Sequence, residues 1–158
     1  MPNQPKNYIF ITDFLPTEVT GGAELTFEAI RLAAPENVSV KYMKSQDIRP
    51  NTWLIKDVHW VLGNYTRIPK ESIEALCELA QQRKVTYSVV EFDYKYCIMR
   101  NEKVHNYNSF LQKNYNFCRC ASDVIGTYTK VIFSFANKVH FMSQEQMNLI
   151  MKRLPEIA

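Results

Sequence analysis

The sequence predicts an α/β protein, a Rossmann-like three-layer sandwich built on a mostly parallel five-stranded sheet, with a long irregular loop after strand 4. Three observations predict it. Short runs of β-branched and aromatic residues alternate with stretches whose apolar residues recur at helical spacing. A glycine pair, Gly21-Gly22, lies between the first such run and the first helical stretch, where α/β folds place ligand-binding turns. The chain is 158 residues long and 46% hydrophobic, enough for one packed domain.

In order, Tyr8-Ile9-Phe10-Ile11-Thr12 reads as the first strand, leading through Asp13 and Pro16 to Gly21-Gly22-Ala23-Glu24. Leu25, Ala29, Leu32 and Ala33 then give a helical stripe that Pro35 stops. Residues 38–42 alternate as a second strand, and residues 45–53 read as a connection with a short helical turn. Val58 to Leu62 is a compact apolar run closed by Gly63 and Asn64, a buried third strand. Pro69 suits the first turn of a second helix whose stripe is Ile73, Leu76, Cys77 and Ala80. Val85 to Val90 is a fourth strand running into Glu91-Phe92-Asp93.

Between Tyr94 and Cys120 no periodicity is sustained, which reads as the long loop. Helical spacing returns over residues 124–135, and residues 138–142 form a fifth strand. Ser143 and Gln146 then make a capping-box pattern for a last helix with Met147, Ile150, Met151 and Leu154 on one face. Strands alternating with helices predict a ligand site beyond the carboxyl ends of the strands.

Composition narrows the function. A formal charge of +3 is too small to indicate nucleic acid, and no continuous apolar stretch is long enough to cross a bilayer. Met1 to Asn7 is polar with no long apolar run behind it, so no signal peptide is expected, the compartment expected is the cytoplasm, and membrane association is at most peripheral. The basic excess is local: Lys95, Arg100, Lys103, Lys113 and Arg119 face only Asp93 and Glu102 between residues 93 and 120. Tyr94, Tyr96, Tyr107, Phe110, Tyr115 and Phe117 are interleaved with them. Such a mixture can contact sugars or phosphate, or form the loop's own hydrophobic cluster beneath solvated lysines.

Three sets of residues are candidates for chemistry. Gly21 and Gly22 permit a tight turn and close approach of a ligand to the backbone N–H groups that open a helix, and they equally serve a plain strand-to-helix turn. Glu91 and Asp93 stand where strand 4 ends, placed either for general-base work on a hydroxyl or to orient the basic loop through Lys95 or Arg100. Cys97, His105, Cys118 and Cys120 share the loop, and thiolate and imidazole are zinc ligands. Only Arg119 separates Cys118 from Cys120, a tighter spacing than structural zinc sites use, so free thiols and a structural zinc ion both stand as readings. Cys77, His59 and His140 are expected in the core.

The segment Phe14-Leu15-Pro16 through Gly21-Gly22-Ala23-Glu24 resembles the first strand-loop-helix of family 4 glycosyltransferases of GT-B fold. The exit Val139-His140-Phe141-Met142-Ser143, opening a helix over residues 144–154, is similar in kind and place to the end of that family's N-terminal, acceptor-side domain. The resemblance implies a nucleotide-diphosphate sugar as donor and a glycan or other hydroxyl acceptor. It implies that Gly21, Gly22 and Glu24 lie near the donor diphosphate, and that no cofactor is required for transfer. Where the family often has a histidine beside the acceptor, Glu91 occupies the comparable place. The chain stops where the family's second domain would begin, so the resemblance implies half an enzyme, inactive alone: a fragment, a naturally reduced protein, or one whose C-terminal domain comes from a companion chain. The alternative is a non-catalytic module that binds a glycan or a protein, with or without a zinc-stabilised loop.

Overall fold

A computed structural model describes residues 7–111 and 118–157. Five strands, β1 (Asn7–Thr12), β2 (Ser39–Lys44), β3 (His59–Leu62), β4 (Tyr87–Glu91) and β5 (Val139–Phe141), form one sheet in the order β2-β1-β3-β4-β5, and every pairing is parallel. Helices α1 (Gly22–Leu32), α2 (Lys70–Gln81), α3 (Glu102–Leu111), α4 (Val124–Phe135) and α5 (Gln144–Arg153) connect or follow them. This is the expected open, Rossmann-like α/β arrangement. No helix among the described residues is long and apolar enough to cross a membrane.

The side-chain alternation of the strands divides the core in two. Ile11, Trp60, Leu62, Tyr87 and Val89 face α2, α4 and the end of α5, where Leu76, Ala80, Ile132, Phe133 and Ile150 complete the larger cluster. Phe10, Val61 and Val90 face the other way, toward Phe27 of α1. Gly63 belongs to that second face, because a Cβ there would run into the Phe27 ring.

Several helices differ in detail from the sequence expectation. α1 turns Glu24 and Phe27 inward, while Leu25 and Leu32, expected in its stripe, are 57% and 70% exposed. One phenylalanine stacked on Phe10, with ring centroids 4.6 Å apart, fills the space that the stripe was expected to fill. The last helix follows the expected cap, with Ser143 Oγ accepting from the Gln146 backbone N–H at 3.1 Å. Gln146 itself reaches back, donating to the Asp93 carbonyl at 2.8 Å and accepting from the Met142 N–H at 2.8 Å.

The segment after β4 is not wholly irregular, since it contains α3. Asn101 starts that helix, its Oδ1 accepting from the N–H groups of Lys103 and Val104 at 3.0 and 3.2 Å. Its inward residues are Glu102, His105 and Asn106, polar at helical spacing, whereas Val104, Tyr107 and Leu111 are exposed. Lys113, Tyr115, Phe117 and the side chain of Phe110, counted above with the basic-aromatic segment, lie outside the described residues.

Candidate functional site

Two polar constellations occupy the carboxyl end of the sheet and the segment that follows β4. The first begins at Asp13, directly after β1. It is 5% exposed and is surrounded by donors: the hydroxyls of Ser45 and Thr66, the N–H groups of Thr66 and Arg67 at 3.3 and 3.2 Å, and Arg100 Nη2 at 3.1 Å. Burial alone would raise its pKa, but these hydrogen bonds outweigh burial and hold the carboxyl below its ordinary value. Asp13 therefore ties the ends of β1, β2 and β3 to Arg100.

Arg100 comes from a compact turn, in which its N–H donates to the Cys97 carbonyl and the Cys97 N–H to the Tyr94 carbonyl, each at 2.8 Å. Its φ of 52° lies in the left-handed region, a conformation that costs a non-glycine residue about 1–2 kcal/mol. The ion pairs to Asp13 and Asp93, at 3.1 and 3.2 Å, offset that cost. The turn that carries Arg100 is thus oriented by Asp13 and Asp93.

Glu91 is completely buried and Lys95 nearly so. Glu91 Oε1 accepts from the Asp93 N–H at 2.9 Å and from Lys95 Nζ at 3.4 Å, and Oε2 has no partner among the described residues. Burial pushes this carboxyl up to about 7, against the opposing charge of Lys95. Lys95 was expected among solvated lysines, but it lies under the sheet end, 3.7 Å from Asp93 as well.

Around these groups a crevice of about 600 Å³ opens, lined by Gly22, Ala23, Glu24, Thr26, Asn64, Phe92, Asp93, Arg100 and Met142. Of the sequence candidates, Gly22, Glu24 and Asp93 meet here, while Glu91 does not line it. Gly22 faces open space: nothing lies within 4 Å of where a Cβ would be. The Glu24 carboxylate folds back over Gly21, close enough to collide with any side chain there. Asn64 and Arg100 were not singled out for the site. Their signals were the Gly63-Asn64 pair closing β3 and a lone arginine three residues after Cys97.

The second constellation is the Cys/His set. Cys97 comes from the turn after β4, His105 from α3, Cys118 from the chain beyond it, and Cys120 from a short 3₁₀ turn over Cys120–Ser122. Their ligand atoms all lie within 4.8 Å of one another. Cys97 Sγ is 3.4 Å from His105 Nδ1 and 3.7 Å from Cys118 Sγ, and Cys120 Sγ is 3.5 Å from the same Nδ1. Burial pushes the thiols of Cys97 and Cys118 up, the latter to about 12. These four residues could hold a metal ion. The short Cys118-Arg119-Cys120 spacing causes no difficulty, because Cys118 just before the 3₁₀ turn and Cys120 at its start both bring their sulfurs into the cluster. Asn106 supports the arrangement, its Oδ1 accepting from the Cys118 N–H at 2.7 Å.

The remaining candidates are structural. Cys77 is buried on α2, and His59, buried on β3, lies 2.9 Å from Ser88 Oγ. His140, expected in the core, is exposed on β5, because its side chain points to the sheet face that α1 covers only in part. No protein-family model matches the sequence, and neither a curated protein nor a solved structure matches it significantly.

Proposed function

We propose that this chain is the acceptor-side half of a nucleotide-sugar-dependent glycosyltransferase of two-domain GT-B architecture, with a structural zinc ion stabilising one wall of its cleft. The observation that carries the reading is the crevice at the carboxyl edge of an all-parallel sheet, where Gly22, Glu24, Asn64, Asp93 and Arg100 converge. In the complete enzyme a hexose would pass from a nucleotide diphosphate to a hydroxyl of a glycan acceptor, with a companion chain or domain closing the cleft. The open space at Gly22 suits close approach of a ligand to backbone.

Zinc fits the donor set. Tetrahedral zinc at its usual bond lengths places two thiolate sulfurs roughly 3.8 Å apart and a sulfur and an imidazole nitrogen roughly 3.6 Å apart. The corresponding distances here are 3.7, 3.4 and 3.5 Å. Three cysteines and one histidine fill four positions, the composition of a structural rather than a catalytic zinc site. The ion would cross-link the turn that presents Arg100 to α3 and to the start of the segment leading into α4.

One observation favours a second reading, a sugar-binding module without chemistry. Glu91 is enclosed, and Asp93 is held by Arg100 and Lys95, so neither strand-end acid is free to act as a base. Calorimetry of the zinc-loaded chain with nucleotide-diphosphate hexoses and with glycans tests both. Binding of a nucleotide-diphosphate hexose supports the transferase half, and binding of glycans alone supports the module. A folded protein that binds neither removes both. No transfer is expected from the isolated chain in either case.

A further inference from the structure

The side chains of the crevice wall are rich in hydrogen-bond acceptors and poor in free donors. Glu24 is 5% exposed, and among the described residues its carboxylate receives one long contact, from Asn64 Nδ2 to Oε1 at 3.5 Å. Asn64 Oδ1 is buried and has no partner among the described residues. The guanidinium at the crevice, Arg100, is already committed to Asp13, Thr66 and Asp93. A nearly buried carboxylate with one long contact has hydrogen-bonding capacity that a ligand's donors can fill.

The N-terminus of α1 would ordinarily attract an anion. Here the Glu24 carboxylate already lies over Gly21 at that end of the helix. A phosphate would add negative charge and further acceptors where both are already in excess. Hydroxyl groups instead supply the missing donors, and Phe92, in the same wall, offers apolar surface to the C–H side of a sugar ring.

We infer that the crevice holds a hydroxyl-rich sugar ring through Glu24, which accepts hydrogen bonds from its hydroxyls with Asn64 beside it, and not a phosphate on the amides of Gly21 and Gly22. This rests on the transferase reading only in naming that sugar as the acceptor. Glu24 is then a specificity-determining residue, and the donor diphosphate belongs to the opposite wall of the cleft.

The test is an amide NMR titration of the zinc-loaded chain with methyl hexopyranosides and, separately, with inorganic pyrophosphate. The expected result is saturable shifts at residues 21–24, 64 and 92–93 with at least one glycoside and none there with pyrophosphate. Glu24→Gln should weaken glycoside binding by about tenfold or more, the effect of losing charge-assisted hydrogen bonds. Gly22→Val, whose side chain would enter open space in the crevice without an internal clash, should weaken it with the fold intact. Pyrophosphate shifts at Gly21 and Gly22, glycosides that shift none of these amides, or glycoside affinity unchanged in both variants would each overturn the inference. Glycoside binding that depends on Glu24, with no nucleotide-diphosphate hexose bound anywhere, would keep it and remove the transferase reading. A nucleotide-diphosphate hexose seated by its diphosphate on Gly21 and Gly22 would do the reverse.

Discussion

The Cys/His cluster and the crevice begin within a few residues of each other after β4, yet their polar atoms are arranged on opposite principles. In the cluster four ligand atoms point inward at a common centre, and neighbouring groups such as Asn106 hold them there. In the crevice the Glu24 carboxylate borders an open space and receives, among the described residues, one long contact, from Asn64. A closed set of ligand atoms suits an ion that stays, and an open set suits a ligand that comes and goes. Arg100 joins the two, being built on the Cys97 turn and anchored on Asp13.

Removing the metal should give the largest effect. The purified chain is expected to carry one zinc ion, measurable by elemental analysis. Chelation should lower Tm by about 10 °C or more, since metal binding in such sites is folding free energy. An unchanged Tm after complete chelation, or Cys120→Ser with full zinc and wild-type stability, would break the comparison at its stronger side.

Asp13→Asn should cost about 2 kcal/mol in chemical denaturation, because it weakens a partly buried ion pair and turns an acceptor of five hydrogen bonds into a group that must also place donors. A cost under about 0.5 kcal/mol would mean that Arg100 does not couple the two regions.

Glu91 gives an effect visible through pH. Its folded carboxyl is raised to about 7, so between the unfolded value and about 7 the folded chain holds a proton that the unfolded chain has lost. Stability should therefore fall as pH rises through that window, by up to about 1.4 kcal/mol per pH unit, relative to Glu91→Gln. Parallel pH profiles for the two proteins would show that Lys95 keeps Glu91 ionised throughout. The smallest effect is expected at Gly22→Ala. Alanine should stabilise α1 by about 0.5 kcal/mol, since the Cβ enters open space, while glycoside binding weakens. Stability and binding that rise together would show that the glycine has no role at the crevice.

Much of the fold was legible because strands buried in a parallel sheet announce themselves as apolar runs, as residues 58–62 and 85–90 do. The α1 stripe misled because Leu25 and Leu32 follow a helical period but point to solvent, while Phe27 alone supplies the contact. α3 escaped for the opposite reason: its inward period is written in Glu102, His105 and Asn106, and hydrophobic patterning does not register polar residues. The four possible zinc ligands could be named from their chemistry, but their convergence depends on that unseen helix. Asp13 and Asn64 show the limit most clearly, since each is an ordinary strand-end residue until distant segments bring it partners or leave it without them.

The parallel pairing of β4 with β5, Val89 against Val139, carries a kinetic consequence. The two strands are neighbours in the sheet, but the whole excursion that carries the Cys/His cluster, and α4, lie between them in the chain. Closing so long a loop is entropically costly, and that cost falls on the folding rate. An ion that gathers Cys97, His105, Cys118 and Cys120 shortens the effective loop before β5 arrives. Zinc would then act as an assembly factor, and refolding without it should be slowest in the step that docks β5 and α5 onto the finished edge of β4.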